Sequence, residues 1–251
     1  MKNQIKNMLL LIAVMFTIGC AKEDTSTPNG NSVTKLSKIT SWNPTSGIEI
    51  NNLELTYNAT GVITSAIGTN GDSFAFEFDA AGKLSKVIKS NPNGRNSTSV
   101  YEYNSAGRIS KINVVHSGNN TNVYTYEYNA AGKMSKKTVT YSAGSATSEY
   151  TWVGDNISEV KLTTMPGSFV FTIRYTSYDD KNNPYSLGGD FVAFGYLDNP
   201  PSKNNVLEMS ITPSSGAVTT EKRIYEYNTL GYATSMKLMG ISNEGQKYYY
   251  K

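Results

Sequence analysis

The chain has one cysteine, one histidine and almost no excess of charge among its 251 residues. Cys20 has no partner for a disulfide within the chain, so the fold must be held by its own packing. His116 cannot by itself form the Cys/His cluster that binds a transition metal. A balance of 23 basic against 20 acidic side chains argues against nucleic acid as the partner. We therefore expect no disulfide framework, no metal site, no cofactor and no nucleic-acid binding.

Long apolar runs are also missing, except near the N-terminus. Lys2 and Lys6 precede an apolar stretch over residues 8–18, which is too short for a spanning helix but long enough for a signal-peptide core. The stretch ends at Thr17-Ile18-Gly19-Cys20. It resembles a bacterial lipoprotein signal, which implies that residues 1–19 are removed and that Cys20 is acylated, for example with palmitate. The alternative is a lone buried cysteine that follows an apolar run by chance.

The residues after the cysteine are small and polar. Residues 20–32 have the composition of a flexible tether, and Lys22-Glu23-Asp24 resembles the surface-export signal of Bacteroidetes lipoproteins. That resemblance implies an outer-membrane lipoprotein facing the extracellular side, with the membrane as a partner through the acyl anchor on Cys20. Removal of the signal leaves 251−19, or 232, residues, which fits one all-β domain over residues 33–251.

One phrase, aromatic-Asn/Asp-x-x-Gly, occurs five times. The copies are Tyr57–Gly61, Phe78–Gly82, Tyr103–Gly107, Tyr128–Gly132 and Tyr227–Gly231. Successive glycines are 21, 25, 25 and 99 residues apart, and such a period indicates one supersecondary unit copied many times. Alternating polar and apolar residues, with many β-branched and aromatic types, are typical of strands.

Each phrase predicts a hairpin. Asn129 can start a type I turn and Gly132 can supply the positive φ of a three-residue loop with a bulge. With Asn129 paired to Lys133, the expected register places Tyr128 opposite Met134, Glu127 opposite Ser135 and Tyr126 opposite Lys136. The same register pairs Tyr57 with Ile63, Phe78 with Leu84, Tyr103 with Ile109 and Tyr227 with Ala233.

Hairpins that follow one another directly predict an antiparallel up-and-down meander, because parallel strands need long crossovers. We count about 14–17 strands, enough to curl the sheet into a half-barrel or a closed barrel. Residues 181–205 contain no hairpin phrase and are interpreted as an irregular insertion that plugs or caps the sheet. The alternative for that segment is a further irregular strand over residues 191–197.

A row of lysines is the candidate ligand-binding site. Lys86, Lys111 and Lys136 each lie four residues after a repeat glycine, so they are expected about 9.6 Å apart across the sheet. Interleaved with Phe76, Tyr101 and Tyr126, they would suit a phosphorylated or acidic glycan. The alternative is that lysine stems simply cover the rings while the charged heads stay in water.

The charges also bear on a membrane-spanning barrel. The expected register puts these lysines on one strand face and Glu77, Glu102 and Glu127 on the other, so neither face suits lipid. A second basic row, Lys83, Arg108 and Lys133, lies diagonal to the glutamates, and ion pairing with them is the simplest interpretation.

Catalytic signatures are lacking. His116 adjoins a polar loop and is interpreted as a solvated residue, and no Ser-His-Asp arrangement or nucleophile elbow is visible. Asp179-Asp180 with Asn182-Asn183 could offer oxygen ligands to calcium, but the spacing matches no known loop, and a polar turn before Pro184 is the preferred interpretation. No catalytic residue is predicted.

The repeat unit Tyr126-Glu-Tyr-Asn-Ala-Ala-Gly-Lys-Met-Ser-Lys136 resembles the YD or Rhs-type repeat. Together with the lipoprotein signal, Asn182-Asn-Pro-Tyr185 and Ser202-Lys-Asn-Asn-Val206, residues 33–251 are similar to a Bacteroidetes lipoprotein family of unknown function with a porin-like fold. The resemblance implies no activity, so we expect a binding or scaffolding role toward a glycan or another envelope protein. The alternative is a glycan-active hydrolase with carboxylates in the concave face.

Overall fold

Sixteen antiparallel strands form a closed barrel in the computed structural model. The structure describes residues 34–167, 169–188, 200–239 and 244–251. Each strand pairs with its neighbours along the chain, and β1 pairs with β16 to close the barrel. The predicted meander and its strand number are confirmed, and of the two expected outcomes, a half-barrel or a closed barrel, the structure has the closed barrel.

The hairpins run in chain order, and a short 3-10 helix at Pro184–Gly188 lies between β12 and β13. The strands are β1 (Leu36–Trp42), β2 (Glu49–Tyr57), β3 (Ile63–Gly68), β4 (Ser73–Phe78), β5 (Leu84–Ser90), β6 (Ser97–Tyr103), β7 (Ile109–His116), β8 (Thr121–Tyr128), β9 (Met134–Tyr141), β10 (Gly144–Val153), β11 (Asn156–Met165), β12 (Phe169–Asn182), β13 (Asn204–Pro213), β14 (Thr219–Tyr227), β15 (Ala233–Met239) and β16 (Gly245–Tyr250).

The repeated phrase forms the expected turns at one end of the barrel, here called the tight-turn end. Asn129 accepts a hydrogen bond on its side-chain oxygen from the Lys133 amide at 3.0 Å, and its carbonyl accepts from the Gly132 amide at 2.8 Å. Gly132 has a φ of +79°, which a residue without a Cβ adopts readily. The first predicted pair, Tyr128 with Met134, is confirmed, and so are its four counterparts.

The register beyond that first pair differs from the prediction by one residue. Glu127 lies opposite Lys136 and Tyr126 opposite Lys137, because a bulge makes Ser135 an extra residue in β9. The expected pairs of Glu127 with Ser135 and Tyr126 with Lys136 are therefore wrong. A one-residue shift moves every later side chain to the opposite face, so the lysines share the outer face of the barrel with the glutamates.

Tyrosine hydroxyls connect neighbouring hairpins at the tight-turn end. The ladder between β5 and β6 ends at Lys86 and Val100, and beyond it the Tyr103 hydroxyl donates to the Leu84 carbonyl at 2.8 Å. The hydroxyls of Tyr57, Tyr128, Tyr178 and Tyr250 donate in the same way to the carbonyls of Leu36, Ile109, Ile157 and Ala233. At the equivalent place the indole N–H of Trp152 donates to the Met134 carbonyl. Each contact satisfies a carbonyl that the ladder leaves without a strand partner.

Inward-facing side chains fill the half of the barrel near the tight turns. Leu36 and Ala66 are fully buried, and Tyr126 and Tyr150 are 6% exposed. These residues belong to one hydrophobic cluster with side chains from most strands. Because no solvent reaches them, the lumen is filled at this level.

The segment interpreted as an insertion contributes to this filling. Residues 181–182 extend β12 and residues 204–205 begin β13, so the irregular part is shorter than predicted. The short helix buries Pro184 completely, and Tyr185 packs edge-on against Tyr248 with ring centroids 5.6 Å apart. The alternative strand over residues 191–197 lies outside the described residues.

Candidate functional site: a cavity in the open half of the barrel

The other end of the barrel, here called the open end, contains a cavity of about 560 Å³. Strands β2 to β8 form its wall. Tyr101, Ile112 and Tyr124 lie on one level deep in the cavity, and Phe74 and Lys89 lie nearer the mouth. The lining residues with side-chain polar groups include Asn51, Asn52, Thr69, Asn70, Asp72, Lys89, Ser97 and Ser99, and the ring-bearing ones are Phe74, Tyr101 and Tyr124.

Asp72 organises the polar edge of this cavity. It lies in the turn between β3 and β4 and is only 8% exposed. Its carboxylate accepts hydrogen bonds from the side-chain amides of Asn70 and Asn91, and Lys89 Nζ lies 2.9 Å from Oδ2. Burial alone would raise the pKa of the Asp72 carboxyl, but the hydrogen bonds from Lys89, Asn91 and Asn70 outweigh it and hold the pKa below its ordinary value.

Lys89 also lies 5.6 Å from the centroid of the Phe74 ring. A charged pair, two amides and a ring face are thus fixed within one corner of the cavity. Such a group can donate to and accept from a ligand rich in hydroxyl groups while the ring contacts its apolar side. The arrangement favours recognition over chemistry, because its carboxylate is already engaged by three donors.

A second cavity of about 330 Å³ lies at the same end of the barrel. It shares Asn51 with the larger one, and its wall includes Trp42, Leu238, Glu244 and Gln246. Deeper in the lumen a space of about 60 Å³ is lined by Tyr185, Arg223 and Tyr225. The space available to a ligand therefore decreases from the open end toward the tight-turn end.

The lumen carries an ion pair on β14. Arg223 donates to Glu221 through Nε at 2.7 Å, and its Nη2 lies 2.6 Å from the same Oε1 atom. Both side chains lie on the inner face of β14 and are followed on that face by Tyr225 and Tyr227. The pair accounts for two interior charges without requiring a ligand.

The predicted lysine row does not share a face with the predicted rings. Lys86, Lys111 and Lys136 lie on the outer face, opposite Glu77, Glu102 and Glu127. The nitrogen to oxygen distances of these pairs are 2.7, 3.3 and 3.6 Å. Phe76, Tyr101 and Tyr126 point into the barrel and belong to its core. The structure therefore does not bring the lysines and the rings together into one surface.

The second basic row also differs from its interpretation. Lys83 lies 5.0 Å from the centroid of the Tyr103 ring and Arg108 lies 5.5 Å from that of Tyr128. Lys133 lies over Trp152 and pairs with Asp155 at 2.8 Å. These cations contact the rings of the next hairpin, because the bulge places Lys86, Lys111 and Lys136 opposite the glutamates instead.

The remaining candidates lie apart from the cavity. His116 is the last residue of β7, and its Nε2 lies 3.1 Å from the side-chain amide of Asn122. Asp179 lies within β12, where the expected polar turn is absent, and its carboxylate accepts from the Asn205 amide groups and from the Tyr227 hydroxyl. No cluster of metal-ligating side chains occurs among the described residues. Cys20 lies outside them.

The carboxylates bear on the hydrolase alternative. Asp72 is the single carboxylate that lines the larger cavity, and Glu244 is the single one in the second, counting the described residues. A glycoside hydrolase uses two facing carboxyl groups in one cleft, and neither cavity provides such a pair.

Of the described residues that line the cavity, Tyr101 was among the predicted site residues and the others were not. Asp72, Asn70 and Lys89 belong to a repeat that resembles its neighbours, so nothing in the pattern distinguished them. A signal was nevertheless present in the loops. Asn70-Gly-Asp72 and Asn91-Pro-Asn-Gly94 lie in two loops that hairpins of equal length bring to the same end of the barrel, so their polar side chains could have been expected close together. The inward direction of Lys89 depends on the bulge, which the predicted register placed wrongly.

The barrel resembles two solved structures. A porin-like protein from Bacteroides uniformis is similar with a TM-score of 0.58 and 15% identity, over 86% of this chain and 98% of that chain. A porin-like protein from Bacteroides vulgatus has a TM-score of 0.47 and 12% identity, over 87% and 99% of the two chains, which is too low to support an argument. No protein-family model and no curated protein sequence matches the chain. The first similarity shows the porin-like barrel fold and nothing finer.

Within the described ranges, no helix is both long and apolar enough to cross a bilayer.

Proposed function

We propose that this protein is an outer-membrane lipoprotein, acylated at Cys20 and displayed on the extracellular side, that binds a small glycan in the open half of its barrel. The observation that carries the binding role is the cavity of about 560 Å³ above a filled core. Its volume lies within the range of about 300–1,000 Å³ that is usual for ligand pockets. A conduit for solutes would need an open lumen, and buried side chains such as Tyr126 fill this one near the tight turns.

The wall of the barrel supports anchoring by acyl chains. Three Lys–Glu pairs lie on the outer face of β4 to β9, near the tight-turn ends of these strands, and Arg174 pairs with Glu159 at 2.8 Å on the same face. A charged side chain on a lipid-facing barrel surface costs about 2–4 kcal/mol at the midplane. A wall with this many charges is stable in water, so the attachment to the membrane is assigned to Cys20.

The ligand class follows from the cavity wall. Amide, hydroxyl and charged groups at the mouth can exchange hydrogen bonds with hydroxyl groups, while Tyr101 and Tyr124 line the deeper part. A neutral or weakly acidic oligosaccharide presents both kinds of surface. Lys89 beside Asp72 leaves the corner without a large net charge, so strong preference for polyanions is not expected.

Ligand binding is tested with a glycan array, followed by calorimetry on each glycan that binds. Ser99 points into the cavity and its neighbour Thr98 points outward, so Ser99→Phe and Thr98→Phe add the same ring on opposite faces of β6. We expect Ser99→Phe to weaken binding at least tenfold and Thr98→Phe to leave it unchanged. Equal affinities for the two variants would exclude the cavity.

Acylation is tested separately. Mass spectrometry of the envelope fraction is expected to find a diacyl or triacyl group on Cys20, and Cys20→Ser should release the protein into the soluble fraction. Protease treatment of intact cells then distinguishes extracellular from periplasmic display.

A further inference from the structure

The two ends of the barrel differ in charge. Among the described residues that join strands at the tight-turn end or flank the first and last strands there, six are basic and two, Asp79 and Asp155, are acidic. The basic residues are Lys35, Lys83, Arg108, Lys133, Lys203 and Lys251. The loops of the open end carry one basic residue, Arg95, against Asp72 and Glu244. The formal charge of these residues is +4 at the tight-turn end and −1 at the open end.

The cations of the tight-turn end are fixed in place. Lys35 and Lys251 lie 5.5 and 4.6 Å from the centroid of the Tyr57 ring, and Lys83 and Arg108 lie over the rings of the next hairpins. Cation–π contact holds these four side chains over rings without neutralising their charge. Lys133 and Lys203 lie 2.8 and 4.0 Å from the Asp155 carboxylate, which partly balances their charge. Asp79 caps its own turn through the amides of Ala81 and Lys83. The result is a circular cationic rim.

The chain enters the barrel at this same end. The Lys35 amide donates to the Lys251 carbonyl at 3.0 Å, beside the start of β1. Thirteen residues separate Thr34 from Cys20, and a chain of that length spans at most about 50 Å. A barrel anchored through Cys20 therefore stays within about 50 Å of its point of attachment.

We propose that the cationic rim docks on the phosphate-bearing headgroups of an anionic lipid surface, so that the open end with its cavity points away from the membrane. This inference rests on the acyl anchor of the proposed function. Anionic headgroups attract basic side chains within about a Debye length of the surface. A fixed ring of cations at one end of a barrel also sets the tilt of the molecule, which a single tether cannot do.

The experiment uses the full chain with Cys20→Ser, so that binding does not depend on acylation. Cosedimentation with vesicles of phosphatidylglycerol and phosphatidylcholine is compared with vesicles of phosphatidylcholine alone, at low salt. We expect binding to the anionic vesicles only, and its loss at high ionic strength. Equal binding to both vesicle types, or to neither, would overturn the inference while leaving the acylation and glycan tests unaffected.

The repeats supply a matched control. The rim variant carries Lys35→Gln, Lys83→Gln and Arg108→Gln, and the wall variant carries Lys86→Gln, Lys111→Gln and Lys136→Gln, so both lose three charges. Each cation near an anionic surface is worth about fivefold in affinity, so the rim variant should bind about 100-fold more weakly. The wall variant should change less than about fivefold, and a rim variant that binds like the wall variant contradicts the inference.

Orientation is measured on a chain with unaltered rim charges. Cys20→Ser leaves no cysteine, so Ser105→Cys in a tight turn and Asn93→Cys in an open-end loop each carry one environment-sensitive fluorophore. Vesicle binding should shift the emission of the label at position 105 and not that at position 93. The opposite result would show that the open end faces the lipid. Release by inorganic phosphate at constant ionic strength would indicate a site for free phosphate instead.

Discussion

We expect the tyrosine hydroxyls that connect neighbouring hairpins to make a measurable contribution to stability. Tyr103 and Tyr128 donate to the Leu84 and Ile109 carbonyls at 2.8 and 2.6 Å. Tyr103→Phe and Tyr128→Phe remove only the donor and leave each carbonyl without its partner. An unsatisfied buried group costs about 1–3 kcal/mol, and since both sites are half-buried we expect about 1–1.5 kcal/mol for each change.

The measurement is reversible unfolding in guanidinium chloride, followed by circular dichroism, with a thermal scan beside it. For a domain of this size, 1 kcal/mol corresponds to about 2–4 °C in Tm. The double variant should lose the sum of the two single effects, because the two contacts share no partner. Tyr249→Phe is the control, since its hydroxyl contacts Glu49 on the outer face, and it should cost less than about 0.5 kcal/mol.

The repeat offers the reverse change as well. Phe78 holds the position of these tyrosines but has no hydroxyl, and the corresponding carbonyl is that of Ile63, the first residue of β3. Phe78→Tyr should therefore stabilise the barrel by about 0.5–1 kcal/mol. The reasoning is refuted if Tyr103→Phe and Tyr128→Phe cost no more than Tyr249→Phe.

Three further predictions follow from the turns, the cavity and the buried phenols. Gly82 and Gly132 both have a φ of +79°. A Cβ at Gly132 would lie 2.3 Å from Arg108 Nη2, whereas a Cβ at Gly82 would meet nothing within 4 Å. Gly132→Ala should therefore destabilise the barrel by about 0.5–1 kcal/mol more than Gly82→Ala does, and equal unfolding midpoints for the two variants would contradict this. The pKa of Asp72 is lowered in the folded protein, so its stabilising contribution is present above its unfolded pKa and is lost as the pH falls through the folded value. The free energy of unfolding should therefore fall more steeply with decreasing pH in the wild type than in Asp72→Asn. The exposed Glu77→Gln is the control. Burial raises the pKa of Tyr57 and Tyr178 to about 12. Because these phenols ionise first in the unfolded chain, the free energy of unfolding should fall between about pH 10 and pH 12. The prediction is wrong if an ultraviolet difference titration of the folded protein finds that these phenols ionise at the ordinary pKa.

The hairpin phrases predicted the architecture because the residues within each phrase are sufficient to form its turn. An Asn or Asp that accepts from the following amides and a glycine with positive φ form the turn locally. Short turns in succession leave an antiparallel meander as the topology. The prediction extended to closure of the barrel only as one of two outcomes, since closure depends on pairing between β1 and β16, which are about 200 residues apart in the chain.

The candidate site was predicted less well, and the bulge is the physical reason. A single extra residue, such as Ser135, moves Lys136 from the ring face to the outer face beside Glu127. The extra residue leaves no trace in the alternation of the sequence, because serine is tolerated on either face. The lysine row was therefore a correct observation about spacing that was assigned to the wrong surface.

By itself the sequence determined the strand composition, the positions of the turns and the first cross-strand pair of every phrase, since these depend on contacts within a few residues. The signal-like segment ending at Cys20 is likewise a local property. Only the tertiary structure decided which side chains face the lumen, which half of the lumen is filled and which half holds the cavity. Those features depend on bulges and on contacts between distant strands, whose energies no local pattern contains.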